Sequence, residues 1–422
     1  MSTSEERNGK DKVKINMPKE AWDIIHLFYK NNFEAYIVGG CVRDCLLKKI
    51  PSDWDITTNA LPEQIKKIFE NKAKVVETGI KHGTVTLIIN KKKFEVTTYR
   101  NDGAYKDFRR PEQVFFVHNL EEDLARRDFC MNAMAYNDKN GLVDLFDGKS
   151  DIVQKKIIRC VGEPEKRFSE DALRMLRALR FANQLDFSLD AKTYLVLKKK
   201  VELMKFISIE RIRDELVKLF FALNSHKIYL LNDSRILNFI CPDFDFYLKN
   251  NFVGIKKNLS RLKDFHCDKN LDIILCTLLY RMNSRRAYNF LRLLKFDNKT
   301  CYTVTVVLSY LYVKIVPQKY FVKRIVSHLG IENFYKLLVL KKILGYKNMY
   351  KIKFLVEDIL LNQECLFLKD LAINGGDIAE LGFSGKDIGR VLNYLLNMVY
   401  VLPKKNSHDM LVGEVKKLRN KV

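Results

Sequence analysis

The chain has 422 residues, which exceeds one ordinary hydrophobic core and points to two to four domains. With 47% hydrophobic and 30% charged residues, 8 prolines and 18 glycines, it reads as a soluble, well-packed protein, and long disordered linkers are excluded; so is a membrane span, because no uncharged apolar run approaches the ~20 residues needed. Lys and Arg total 74 against 51 acidic residues, and a net charge of +23 favours a polyanionic partner over the plainer reading of lysine spread on surfaces.

The polar start, MSTSEERNGKDKVKIN, lacks the apolar core of a signal peptide, and residues 1–17 read as a disordered lead. Apolar spacing through Ala21, Trp22, Ile25, Leu27 and Phe28 predicts a helix over Met17 to Tyr29. From Ala35 to about Cys160 the pattern changes to short β-like runs: Tyr36–Val38, Asp53–Thr57, Lys74–Glu77, Thr84–Ile89, Lys93–Tyr99, Val114–Val117, Leu142–Leu145 and Ile157–Cys160. A helix over Pro62–Phe69 lies among them, so residues 18–160 form an α/β head with a mixed sheet. After Gly162 the pattern is helical: Ser169–Phe181, Ala191–Leu203, Ser208–Leu223, then most segments from Ile255 on, including Ile388–Val401. The longest apolar run, Cys301 to Val313, is read as a buried helix. The fold class is therefore α+β, with boundaries expected near residues 160 and 225. Nine cysteines without a CxxC pair or zinc spacing suit reduced thiols used as small apolar residues.

The first chemical signal is YIVGGCVRDCLLKKIPSDWDI, Tyr36 to Ile56. Gly39 and Gly40 follow a strand and precede a helix. Without Cβ atoms they let the backbone approach a phosphate, which Arg43 also reaches; the alternative is a tight turn beside a solvated arginine. Asp53 and Asp55, two apart on a strand, share a face and repel unless cations lie between them, which suits Mg²⁺; alone, Asp-x-Asp is also common in surface loops. Glu95 in FEVTTYR becomes a third carboxylate if its strand lies beside the aspartates, and is otherwise an ordinary strand glutamate. Asn101 to Arg110 reads as a mobile loop. Arg126, Arg127 and Asp128 sit between apolar stretches, so the arginines need an anionic partner, either phosphate or an internal carboxylate. Finally, EDALRMLRALRF places Asp171, Arg174, Arg177 and Arg180 in one polar row along a helix. An Asp and an Arg one turn apart supply the acceptor and donors that match the base edges of C and A. The alternative is a salt-bridge stripe on a solvated helix.

These stretches, together with HGTVT, RRPEQV, EEDLARRDFCMNAMAY, VDLFDG and ISIERIRDEL, resemble the bacterial class II tRNA nucleotidyltransferases, the CCA-adding enzymes of the polymerase-β-like superfamily. The likeness runs from about residue 35 to 220 and returns, more weakly, at Leu371 to Val399. It implies a polymerase-β-like head (18–160), a neck that recognises the base (161–225), and a helical body and tail (226–422) that grip the tRNA acceptor arm and elbow. It further implies that Gly40 and Arg43 contact the triphosphate, Asp53 and Asp55 hold Mg²⁺, and Arg127 meets the nucleotide phosphates or ribose. Asp171 and Arg174 become the amino-acid template, with Arg177 and Arg180 beside them. The expected activity is addition of C, C and A to tRNA from CTP and ATP in the cytoplasm, without a membrane or DNA partner. Alternatives within the likeness are A-only addition and poly(A) polymerase; outside it, an inactive RNA-binding protein. The stretch Asp102 to Pro111 has full loop length, which argues against CC-only addition. Seven dispersed histidines exclude an appended phosphohydrolase domain, and His408-Asp409 reads as a surface dipeptide.

Overall fold

The computed structural model describes residues 13–102, 114–267 and 269–419. The chain divides into two compact units, residues 1–250 and 251–422. The segments expected as head (18–160) and neck (161–225) both lie in the first. Of the expected lead, residues 1–12 fall outside the described residues, and Ile15 is already buried. The expected mobile loop, Asn101 to Arg110, lies outside them except for Asn101 and Asp102.

In chain order the strands are β1 (Ala35–Val38), β2 (Ile56–Thr58), β3 (Lys74–Gly79), β4 (Thr84–Ile89), β5 (Lys92–Thr98), β6 (Arg100–Asp102), β7 (Val114–Phe116), β8 (Met134–Asn137), β9 (Gly141–Asp144), β10 (Ile157–Ile158) and β11 (Ser188–Leu189). Seven form one sheet in the order β3-β4-β5-β2-β1-β8-β9. It is mixed as expected: β2 and β5 run parallel, with Ile56 opposite Val96, and the other neighbours are antiparallel. Asn90 and Lys91, both with positive φ, close the β4–β5 hairpin, a two-residue turn that matches strand twist. All four residues of β1 are buried, and the strand lies inside the sheet between β2 and β8. Helix α1 (Lys19–Lys30) buries Ala21, Ile24, Ile25 and Phe28, and Phe28 meets Phe69 of α3 (Pro62–Phe69) edge-on at 5.3 Å.

Several sequence expectations are corrected. The second strand starts at Ile56, so Asp53 and Asp55 lie on the extended lead into it, not in it. Val38 N–H donates to the Asp55 carbonyl at 2.9 Å and ties that lead to β1. Strand β8 lies inside a run read as merely apolar. All four of its residues are buried, so no alternation betrays it. Strand β7 pairs with β6, outside the main sheet. The helix expected over Ser169–Phe181 is broken: α6 (Pro164–Glu170) ends, Asp171 takes an extended conformation, and α7 (Leu173–Leu185) begins. Helices α2 (Gly40–Leu46) and α9 (Ile209–Phe221) also border the site, and α4 (Leu120–Ala125), α5 (Gly148–Ser150) and α8 (Ala191–Lys200) complete the helices of this part of the chain.

The second unit is helical, with no strand among its described residues. Side chains of Asn270, Asn283, Asp297 and Asn374 accept from backbone N–H groups in the first turns of their helices, which fixes where those helices start. Ile378, Leu395, Val399, Leu411 and Val415 centre one of its cores. His408 and Asp409 are exposed, as expected. None of the nine cysteines forms a disulfide, and among the described residues no helix is long and apolar enough to cross a membrane.

Candidate active site

One cleft of ≈ 800 Å³ in the first unit is lined by the eleven residues that the sequence assigns to a site: Gly39, Gly40, Arg43, Asp53, Asp55, Glu95, Arg127, Asp171, Arg174, Arg177 and Arg180. The volume suits a nucleotide-sized ligand.

One wall is built on β1, β2 and β5. Gly39 has φ +79°, a conformation that favours glycine, and a Cβ there would lie 3.1 Å from Arg127 Nη1. Its N–H donates to the Met134 carbonyl and its own carbonyl accepts from Arg43 N–H, so the turn locks β1 to β8 and starts α2. At Gly40 a Cβ would meet nothing closer than 3.7 Å, so protein packing does not demand glycine there. Arg43 is buried. It donates to Asp44 through Nε at 2.9 Å and to Asn132 Oδ1 through Nη1 at 2.8 Å.

The parallel register that sets Ile56 opposite Val96 also sets the preceding residues, Asp55 and Glu95, next to each other. The condition for Glu95 to join the aspartates is therefore met. Asp55 is solvent-exposed where it faces the cleft. Partial desolvation by the surrounding protein, then the Glu95 charge, pushes its carboxyl up to about 6; Arg127 opposes this and Asp53 adds to it. An all-oxygen cluster of mutually repelling carboxylates fits a hard divalent cation. Among the described residues no three His, Cys, Asp or Glu side chains are arranged to hold a metal by themselves. Two carboxylates plus substrate phosphates are the usual way a protein holds such an ion.

The opposite wall is α7 and its approach. Asp171 sits in the break between α6 and α7, where its Oδ1 accepts from Leu173 N–H at 3.1 Å. Its Oδ2 accepts from Arg211 Nη2 at 2.7 Å, and Oδ1 from Arg211 Nη1 at 3.3 Å. Arg174 is buried and donates to Glu170 Oε2 at 2.5 Å and to the Arg167 and Arg126 carbonyls, each at 3.0 Å. Arg177 grips Asp128 Oδ2 with Nε at 2.9 Å and Nη2 at 2.6 Å. Arg180 donates to Glu215 at 2.7 Å and lies 3.9 Å above the Phe181 ring, which Arg43 and Arg177 also face at 5.3 and 5.4 Å. The row is thus no solvated salt-bridge stripe; each arginine is held by a partner from another element.

The sequence did not show which carboxylate holds which arginine, although Asp128 stood in the Arg126-Arg127-Asp128 stretch. The anionic partner that the Arg126–Arg127 pair needed is an internal carboxylate, Asp123, which is fully buried. Asp128, Glu215, Asn132 and Arg211 complete the frame. Arg211 stood inside the ISIERIRDEL stretch without being singled out. Only the return of α9 past the α6–α7 break brings it to Asp171.

The sequence profile described as "Poly A polymerase head domain" matches residues 35–159, and "Probable RNA and SrmB- binding site of polymerase A" matches residues 186–248. The CCA-adding enzyme of Lactobacillus helveticus is 48% identical over 225 residues, a match that spans 53% of this chain and 55% of that enzyme. The CCA-adding enzyme of Ligilactobacillus salivarius is 36% identical over 411 residues, 95% of this chain and 96% of that enzyme. The crystal structure of Bacillus stearothermophilus CCA-adding enzyme in complex with CTP superposes with a TM-score of 0.79 at 29% identity, over 96% of this chain and 98% of that one. With both walls of the cleft in place and a relative matched from end to end, the chain belongs to the family of CCA-adding enzymes.

Proposed function

We propose that this protein adds C, C and A in turn to the 3′ end of tRNA, taking CTP and ATP and releasing pyrophosphate without a nucleic-acid template. The observation that carries this is the cleft itself. Three carboxylates, Asp53, Asp55 and Glu95, line the same cleft as an aspartate and three arginines, on elements expected to be head and neck. In each cycle the tRNA 3′ oxygen forms a bond to the α-phosphorus, and the bond from that phosphorus to the β-phosphate bridging oxygen breaks.

The residues divide the work. Gly40 leaves space that packing does not claim, so the triphosphate approaches the backbone there, with Arg43 and Arg127 facing its charge. Asp53 and Asp55 hold a divalent cation, Mg²⁺, with Glu95 adding negative charge beside them. When bound, that cation supplies Lewis-acid stabilisation of phosphate charge and a lowered pKa for the attacking hydroxyl. Asp171 accepts from the exocyclic amine of C or A, and Arg174 donates to the acceptors beside it, so the carbonyl that G and U present instead is rejected. Arg177 and Arg180 brace this wall. In the second unit, Arg281, Arg285, Arg286, Arg292 and Lys295 lie exposed beside Tyr288 on and around the helix Ser284–Leu293, with no acidic residue from Arg281 to Phe296. Such a surface suits the phosphates of tRNA. A tRNA substrate places the enzyme in the cytoplasm.

The test is incubation of the purified protein with tRNA lacking its 3′ CCA, Mg²⁺ and labelled CTP or ATP. Extension with release of pyrophosphate is expected; no extension with either nucleotide rejects the proposal. The template assignment has its own test. Arg174→Ala is expected to weaken discrimination against UTP by about 10- to 100-fold, the worth of one bidentate base contact. Continued exclusion of UTP and GTP by a folded Arg174→Ala variant contradicts it.

A further inference from the structure

Asp123 belongs to no catalytic contact proposed above, yet it lies beneath both halves of the site. Its side chain is completely shielded from solvent, and its two oxygens are divided between two sets of donors. Oδ1 accepts from Arg126, through Nε at 3.0 Å and Nη2 at 2.6 Å, and from the Arg100 N–H at 3.5 Å. Oδ2 accepts from Arg127 Nη2 at 3.0 Å and Thr57 Oγ1 at 3.3 Å. Burial pushes this carboxyl up, but the guanidiniums of Arg127 and Arg126 outweigh it and hold it below the usual carboxylate range. It therefore stays ionised beneath the cleft.

The two oxygens lead to different places. Arg127, on Oδ2, is the guanidinium whose Nη1 crowds Gly39 and which lines the triphosphate side. Arg126, on Oδ1, offers its backbone carbonyl to Arg174 Nη2 at 3.0 Å on the base-reading side. One carboxylate thus fixes the residue that faces phosphate and the backbone that holds the residue facing the base. A guanidinium fork pinned on one side keeps its remaining donors aimed in one direction, which is what selective recognition needs.

We infer that Asp123 is a positioning residue for nucleotide selection, setting Arg127 toward the triphosphate and, through Arg126, Arg174 toward the base. This rests on the proposed function and deepens it.

The experiment compares Asp123→Asn and Thr57→Val with wild type for KM and kcat with CTP and ATP, for UTP incorporation, and for melting temperature. Asparagine keeps the shape but turns one oxygen into an NH₂ that cannot accept from a guanidinium. A folded Asp123→Asn enzyme is expected to show KM for CTP and ATP raised about tenfold, a smaller fall in kcat, and measurable UTP incorporation. A merely structural role lowers the active fraction, and with it the apparent kcat, while leaving KM and base choice untouched. Unchanged KM and unchanged UTP exclusion in that variant overturn the inference, and a rise in KM alone overturns the link to Arg174. If Asp123→Asn does not fold, Thr57→Val decides. The Thr57 hydroxyl lies 3.3 Å from Oδ2 and 3.2 Å from the Thr97 carbonyl, and of the two Asp123 oxygens its removal touches Oδ2 alone, so KM should rise about two- to threefold with base choice intact, and an unchanged KM overturns the inference. Wild-type protein that extends no tRNA rejects the proposed function instead, so the two failures are separable.

Discussion

Asp55→Asn is expected to abolish tRNA extension, on the order of 10³-fold or more, while leaving the protein folded and no less stable at pH 7. The first half follows from the share of transition-state charge stabilisation that a metal-binding carboxylate supports, several kcal/mol at about 1.4 kcal/mol per tenfold. The second half follows from the raised carboxyl at about 6. In the metal-free protein this group holds its proton more tightly than in the unfolded chain. Its contribution to stability is therefore present at low pH and lost as pH rises from about 4 to 6. An asparagine there has no such loss, so the variant gains on the wild type across that window. Thermal melting of both metal-free proteins at pH 4 and pH 7 checks the sign. Retained extension shows the metal ligand is misassigned; a variant that gains nothing on the wild type between pH 4 and 7 shows that desolvation and the charges of Glu95 and Asp53 do not raise this carboxyl.

The largest stability effect is expected at Asp128. Its Oδ2 takes both donors of Arg177, and its Oδ1 accepts from Asn132 Nδ2 at 3.1 Å and from Phe129 N–H at 2.8 Å. Burial pushes this carboxyl up, but Arg177, with Asn132 and Arg174 assisting, brings it down to about 2. Asp128→Ala leaves Arg177, whose side chain is 31% exposed, with Glu215 at 3.7 Å as its remaining carboxylate partner, and loss of the charged hydrogen bonds costs about 1.5–3 kcal/mol. The charge-dependent part of the wild-type advantage, about 2 kcal/mol for a shift from 3.8 to about 2, is fully present above pH ~4 and lost as pH falls toward 2. Urea unfolding of wild type and variant between pH 6 and pH 2.5 should show the gap narrowing by about that much. A gap that stays constant with pH contradicts the assignment.

The spacing of Gly39, Gly40, Arg43, Asp53 and Asp55 was legible because a strand, a turn and a second extended segment are local features, and local features fix which side chains face one ligand. The α7 arginines were legible from their period. The break before them was not. A row at every third residue is equally consistent with an unbroken helix, and what ends α6 is the habit of an aspartate side chain of binding nearby backbone, here Leu173 N–H. Glu95 stayed ambiguous in the sequence because its role depends on β5 lying parallel to β2, a pairing between segments 40 residues apart. The carboxylates that hold the arginines were hidden for the same reason. Asp128 reaches Arg177 49 residues on, and Glu215 reaches Arg180 across 35. Asp123 lay only three and four residues from its arginines, a spacing the sequence does show on a helix, but the need for an anionic partner left phosphate equally open.

If one cleft carries both the chemistry and the choice of base, the product ladder on tRNA lacking CCA shows it most directly. CTP alone should extend the tRNA by two nucleotides and stop, ATP supplied next should add one and stop, and UTP and GTP should add none. Long A tails from ATP, or addition of A only to tRNA already ending in CC, would contradict it.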